Sequence, residues 1–463
     1  MKTTITSYTK TKMSMQSLLG KKSWCIVMSL LLMNGTAWAQ EVKETLTLTL
    51  DKALEIALSD NPTIKVAEEE IALKKNAHKE TWQNLLPEVT LSGTWQNTIQ
   101  AAVMKLNDME FKMGKDGTNT VAGVATLSLP IFAPSVYKAM TMTKTDIELA
   151  AEKARASEQD LVNQVTKAYY QLMLAQDSHE VLKQSYAVAE ENFNVVNAKY
   201  QQGSVSEFDK ISAQVQMNSV KPNVISAANA VTLSALQLKV LMGITADVEL
   251  RIDDSLANYE GRVFTNEVEE FNEGLANNST MKQLLLNERM LKQNRKSLYS
   301  NFMPTLGAAL SYQYQSLYNN DWNVFHYDWA GSSSLIFSLS VPIYRASNFT
   351  KLKANRIQQN QLQLNIVDTE RKLNMQAESY RKNMKASSEQ VSSNKENVNQ
   401  AKKAVEIAGK RYEVGKGTVL ELNNSQVQLT QAELTYTQSI YDYLVSKADL
   451  DLVLGRDYVG SAK

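Results

Sequence analysis

Two carboxylates stand in one repeated setting. In "KYQQGSVSEFDKISAQVQM" (Lys199 to Met217) and "RYEVGKGTVLELNNSQVQL" (Arg411 to Leu429), a basic residue and a tyrosine precede a glycine, an acid follows that glycine by six places, and a Q-V-Q triplet comes next. The acids are Asp209 and Glu421, the glycines Gly203 and Gly415, and each pair lies 212 residues apart. Neither acid has the company that bond-making chemistry needs. His78, His179 and His326 are too dispersed for a local metal motif, and the chain has no glycine-rich phosphate loop and no G-x-S-x-G elbow. The one cysteine, Cys25, falls in an N-terminal segment with the marks of a cleaved signal peptide, which excludes disulfides, cysteine metal sites and thiol catalysis. Catalysis is set aside, and what is left is charge at a turn written twice.

The elements that hold these turns are set by the rest of the chain. Lys21 and Lys22, the apolar run Trp24 to Met33, and the small residues Ala37 and Ala39 read as a signal peptide cleaved after Ala39. Ten apolar residues are half of the roughly 20 that a membrane-spanning helix needs. Residues 1–39 hold five lysines and no acid, so the balanced 49 basic and 49 acidic residues become a mature charge of −5. A mildly acidic exported chain is a poor binder of nucleic acid. Only 17 Gly and 7 Pro in 463 residues point to long uninterrupted helices. No later run approaches a transmembrane helix, so membrane insertion is expected through β-strands.

The repeat covers most of the chain. "TLSLPIF" (Thr126 to Phe132) matches "SLSVPIY" (Ser338 to Tyr344), and "VLMG" and "LVLG" end at Gly243 and Gly455, each pair 212 apart. "NPTI" at Asn61 matches "NSTM" at Asn278, and Pro87 matches Pro304, each pair 217 apart. The five-residue difference lies between Pro87 and Pro130 in one copy and Pro304 and Pro342 in the other, as a loop would place it. The boundaries read as signal peptide 1–39, first repeat 40–245, linker 246–265, second repeat 266–456 and tail 457–463.

Within each repeat the prolines separate helix, strand-loop-strand and helix. Val89, Leu91, Trp95 and Ile99 alternate with polar residues, as do Val121, Ala125, Leu127 and Leu129, then Leu306 to Tyr314, then Leu335 to Val341. Each run is about ten residues, enough to cross a membrane at a tilt. Alternation alone also fits a soluble β-sandwich. Small or amide side chains at the polar positions favour a wet lumen instead, and Tyr318, Trp322, Phe325, Tyr327 and Trp329 in the second loop read as an interfacial girdle, with His326 among them.

From Tyr137 to about Tyr200 there is neither proline nor glycine, which makes a rod of roughly 96 Å. Val165, Leu172, His179, Tyr186, Phe193 and Tyr200 recur every seven residues, with Ala168, Ala175, Leu182, Ala189 and Val196 three places later; Met384, Val391, Val398, Val405 and Tyr412 repeat the spacing. Strict heptads force a left-handed supercoil. The polar face "KASSEQVSSNKENVNQ" (Lys385 to Gln400) suits a water-filled bore, and Pro222 should kink the helix returning from the first turn. Gly203 and Gly415 therefore mark the tips of two antiparallel helical hairpins.

With its doubled "LP" junctions, "LSLPIF" and "LSVPIY", and "KYQQG" and "RYEVG" tips each followed by a glycine forty residues on, the chain resembles the TolC-like outer-membrane efflux protein family over nearly all of residues 45–456. The resemblance implies a mixed α and β membrane fold: a homotrimer sharing one twelve-stranded β-barrel in outer-membrane lipid, continued by a twelve-helix coiled-coil tunnel in the periplasm. Four strands cannot close alone, and eight would be filled by their own side chains. The implied function is the passive exit duct of a tripartite efflux system with an inner-membrane pump and a periplasmic adaptor. A type I protein secretion duct is the alternative. A poreless periplasmic scaffold would carry charges on both strand faces, which these strands do not.

The resemblance also assigns residues. Glu421 falls where the family often has the first of two acids ringing the aperture, and the second position is the uncharged Asn424. Three Glu421 carboxylates about 6 Å apart would repel by roughly 3 kcal/mol per pair at an effective dielectric of 20, so the ring should select cations and bind divalent metal. Asp209 and Tyr412 fall at the latch between hairpins; the accompanying arginine position is Gly417, with Lys416 next door as its substitute. The tip of the adaptor is expected at Gly203, Ser204, Val414 and Gly415. No cofactor is implied.

Overall fold

The computed structural model describes residues 45–106, 109–244, 248–264, 274–321 and 323–458. The expected signal peptide and parts of the linker and tail lie outside them. The chain divides into two compact units, a small one of Met1–Leu46 with Asp247–Glu249 and a large one of Thr47–Ala246 with Leu250–Lys463. The repeated halves lie within the large unit.

One element order, a helix, two strands and two further helices, occurs twice in it, with one extra helix ahead of the first. The first half has helices α1 (Leu50–Asp60) and α2 (Pro62–Gln83), strands β1 (Glu88–Thr98) and β2 (Thr118–Phe132), then helices α3 (Pro134–Gln201) and α4 (Glu207–Met242). The second half has α5 (Ser279–Ser300), β3 (Thr305–Asn319), β4 (Ala330–Ser340), α6 (Ala346–Glu413) and α7 (Val419–Leu454). Helices α3 and α6 have 68 residues each, about 100 Å of rod, and α4 and α7 have 36 each, about 54 Å. Pro134 opens α3 at a position where a missing N–H costs nothing.

The four strands form one antiparallel sheet in the order β1-β2-β3-β4. Its register sorts the side chains by face. Val89, Leu127, Leu310 and Leu335 lie in one row across all four strands, and Thr90, Thr126, Ser311 and Ser334 in the next. Since successive residues point to opposite faces, one face is apolar and the other lined by hydroxyls. Ser311 and Ser334 bond through their hydroxyls at 2.8 Å on the polar face. On the apolar face Leu91 is 84% exposed and Leu335 61%, with nothing among the described residues covering them. Register also fixes the ends: Glu88 pairs with Ser128, and Leu306 with both Phe132 and Leu339, so the four helices that adjoin strands, α2, α3, α5 and α6, all meet the sheet at one end. Strand β2 passes through Pro130 at a register shift, the kind of position where a strand tolerates a residue without an N–H.

The opposite end holds two unlike loops. The first contains a hairpin, Ala102–Leu106 paired with Met109–Met113, where the sequence pattern suggests only loop. In the second, Trp329 stacks on Tyr314 of β3 with centroids 5.2 Å apart and Phe325 is exposed. Tyr327 departs from the expected girdle: it is buried, and its hydroxyl donates to the Asp321 carbonyl at 2.7 Å. Trp322 and the Tyr318 side chain lie outside the described residues, and His326 stands 3.4 Å from Asp321.

The helices pack as the heptads require. Val165, Ala168, Leu172, Ala175, Ala189 and Val196 are buried along α3, and Met384, Val391 and Val398 along α6. Helix α3 lies along α4 and α6 along α7, while α5 and α7 also pack on α3. The structure corrects one expectation, that no later segment approaches a transmembrane helix: α4 is long and apolar enough to cross one by length and composition. Scattered Ser, Asn and Thr break its apolar run and hide this in the sequence. Helix α4 continues unbroken through Pro222. The linker is more than a tether. Asp177 of α3 accepts hydrogen bonds from Leu256 N–H at 2.9 Å and the Ser255 hydroxyl at 3.0 Å, and Lys395 of α6 donates to Glu260 at 2.7 Å.

Candidate functional site: the hairpin tips

Each tip is a helix stop followed at once by a helix start. At the first, Gly203 N–H donates to the Tyr200 carbonyl and Ser204 N–H to that of Lys199, both at 2.9 Å. At the second, Gly415 N–H donates to Tyr412 (3.2 Å) and Lys416 N–H to Arg411 (2.8 Å). These paired bonds are the Schellman ending of a helix, which needs a residue in the left-handed region just past the cap. Gly203 and Gly415 supply it, with φ of 72° and 71°.

Three residues past each glycine sits an N-cap. The Ser206 hydroxyl accepts from Asp209 N–H at 3.2 Å, and the Asp209 carboxylate accepts from Ser206 N–H at 3.1 Å and from its hydroxyl at 2.7 Å, closing a capping box. Thr418 likewise accepts from Glu421 N–H at 3.2 Å. The interval of six thus has a local cause, since the acids occupy the third position of the returning helices. Glu421 does not close its box; its carboxylate lies 3.7 Å from the Arg411 guanidinium, half-exposed. Sequence reasoning missed Ser206, Thr418 and Arg411, although S-x-x-D and T-x-x-E are legible as caps.

Between the hairpins the tips share an apolar knot. Val196, Ala213 and Val419 are buried together, and Phe193, Val205 and Tyr412 pack on them. Tyr412 thus reaches from α6 into residues of the first hairpin. Burial, and after it the charge of Asp209, push its phenol above the ordinary tyrosine value. Its hydroxyl is buried without a hydrogen-bond partner among the described residues. Lys199 of α3 places its ammonium 4.8 Å from the centre of the Tyr412 ring. Asn192 of α3 donates to Asn423 of α7 at 3.0 Å, one residue from the exposed Asn424.

Of the residues singled out in the sequence, Asp209 and Tyr412 are linked through charge alone, the Asp209 carboxylate acting on the Tyr412 phenol. Glu421 keeps to its own hairpin with Arg411, and Gly203, Ser204, Val414, Gly415 and Lys416 lie on the turns. At Gly417 a Cβ would stand 3.0 Å from Arg411 Cβ and 3.1 Å from Tyr412 N, so this position is closed to a side chain unless its neighbours shift.

The junctions at the other ends of α4 and α7 repeat with equal fidelity. Asn61 caps α2 and donates to the Leu241 carbonyl at 2.8 Å; Asn278 caps α5 and donates to that of Val453, also at 2.8 Å. Gly243 and Gly455 end the preceding helices at φ 71°. Arg155 of α3 reinforces the second junction, bonding the Gly455 carbonyl at 2.8 Å, the Asn277 carbonyl at 3.1 Å and Asp457 at 2.9 Å.

Comparison with known proteins agrees with this architecture. A family model described as outer membrane efflux protein matches residues 53–244 and 271–456. The outer membrane protein TolC of Vibrio cholerae serotype O1 is 21% identical over 332 residues, 70% of this chain and 75% of that protein. Among solved structures, the Campylobacter jejuni CmeC outer membrane channel superposes with a TM-score of 0.68 at 16% identity, covering 92% of each chain. The open state of the Neisseria gonorrhoeae MtrE outer membrane channel gives 0.68 at 15% identity, covering 88% of each.

Proposed function

The chain belongs to the outer membrane efflux protein family and is placed by it in the outer membrane; from that premise we propose that it is the exit duct of a tripartite efflux system. Three copies close one twelve-stranded barrel and continue it as a twelve-helix tunnel into the periplasm. Substrates from an inner-membrane pump and a periplasmic adaptor pass through it passively.

The observation that carries this reading is the sheet. Rows of apolar side chains on one face and hydroxyls on the other run across all four strands, and the apolar face is bare in the single chain. Such a surface fits lipid outside and water inside, and the unpaired edges of β1 and β4 ask for neighbours. Two copies would leave a barrel filled by its own side chains, whereas three leave a bore. The long rods support a tunnel, because a 100 Å helix has no use in a compact core.

The gate in this reading is the set of tips. Glu421 and Asn424 face the aperture, Tyr412 belongs to the contact that holds it shut with Asp209 and Lys416 on the turns around it, and Gly203, Ser204, Val414 and Gly415 receive the adaptor. Docking is tested by Gly415→Trp, read by export from cells and by native electrophoresis. The reading expects export lost and trimers retained. Export at the wild-type level would remove Gly415 from the docking surface.

A further inference from the structure

Granted the gate reading above, on which this inference rests, the tip tyrosines of the two hairpins differ in where their cation comes from. In the first hairpin Lys210 lies over the ring of Tyr200 at 4.9 Å, so that tyrosine receives a cation from its own hairpin. The repeat maps Tyr200 onto Tyr412 and Lys210 onto Leu422, which is buried. The second hairpin has therefore lost its own lysine for this ring. The cation that stands there comes instead from the other hairpin, as Lys199 at 4.8 Å.

The groups that a hydrogen-bonded latch would use are otherwise engaged or lacking. The Asp209 carboxylate serves the Ser206 cap at 2.7 and 3.1 Å. The Tyr412 hydroxyl is buried with no partner among the described residues. Gly417 has no side chain, and one would press on Arg411 and the Tyr412 backbone; Arg411 is turned toward Glu421. The ring of Tyr412, by contrast, is fixed among Val196, Ala213 and Val419, with its face offered to Lys199.

We propose that the latch between the two hairpins of this chain is the Lys199 ammonium on the face of the Tyr412 ring, not a hydrogen bond from the Tyr412 hydroxyl. A cation within about 6 Å of an aromatic centroid is drawn by the ring's negative face, more strongly where water is partly excluded. Lys199 is thus a positioning residue for the gate, and the latch depends on ring and charge. The hydroxyl contributes nothing to it.

The test is single-channel conductance of the purified full chain in planar bilayers, wild type against Lys199→Gln, Lys199→Arg, Tyr412→Phe and Tyr412→Leu. Lys199→Gln and Tyr412→Leu should raise conductance several-fold, while Tyr412→Phe and Lys199→Arg stay near wild type. Lys199→Gln is the cleaner variant because it leaves the buried knot untouched, and rescue by arginine separates charge from mere packing. Opening by Tyr412→Phe with Lys199→Gln unchanged would overturn the proposal in favour of the hydroxyl. Wild-type conductance from all four would overturn it as well, with the duct reading intact. No current from any protein, wild type included, would contradict the duct itself.

Discussion

Gly415 and Gly455 share a backbone angle and differ in surroundings, which makes them a controlled pair. Both have φ of 71°, but a Cβ on Gly415 would meet nothing within 4 Å, whereas one on Gly455 would come within 2.2 Å of the Asn277 carbonyl oxygen. Gly415→Ala should therefore cost about 1–2 kcal/mol, the strain of the left-handed region alone. Gly455→Ala should cost distinctly more, because backbone cannot swing aside; thermal unfolding of the two variants side by side checks the order. Glu421 gives a second residue-scale prediction. Glu421→Gln should weaken cation selectivity, read as a smaller reversal potential in a salt gradient, and an unchanged potential would take the carboxylate out of the pore. Arg411 at 3.7 Å moderates that charge without cancelling it, since a half-exposed pair is worth little in water. The glycines and acids of the tips were legible because a Schellman ending followed three residues on by an N-cap is local chemistry with fixed spacing. Lys199 on Tyr412 was not, since partners 213 positions apart leave no pattern in one chain.

At the scale of elements, the alternating strands and heptad helices were legible because each buries or presents one face at its own period. Val165, Leu172 and Val391, picked out by seven-residue spacing, are fully buried. Leu172→Ala should cost about 2–5 kcal/mol as a core truncation, read by thermal unfolding. The first loop's hairpin was passed over although its signal is in the sequence, with Asn107 and Asp108 as turn residues and Met109, Phe111 and Met113 alternating with Glu110 and Lys112; at five residues each its strands are less than half the length of the other four. The linker was missed for another reason, that its structure is borrowed from helices it touches. The Glu260 carboxyl is held below the ordinary glutamate range, chiefly by the hydrogen bond from Lys395, against the opposing effect of burial. A lowered carboxyl stabilises the fold at neutral pH, and that contribution is lost as pH falls through the lowered value. Glu260→Gln should thus melt earlier than wild type at pH 7, and the difference should shrink as pH falls below the ordinary glutamate range.

For the molecule as a whole, the decisive fact is surface that this chain does not cover. The apolar rows of the sheet, the two unpaired strand edges and the apolar flank of α4 all lie open. Each is costly in water and each is explained by a membrane or by further copies. The sequence carried the strand faces and the doubled hairpins. It could not carry the closure of the barrel, which depends on how many chains meet. The most direct test of the central claim is therefore the conductance of the purified wild-type protein in a planar bilayer. The duct reading predicts a small, cation-selective current from protein that fractionates with the outer membrane. No current, with the protein recovered in the soluble fraction, would mean that these strands do not form a barrel.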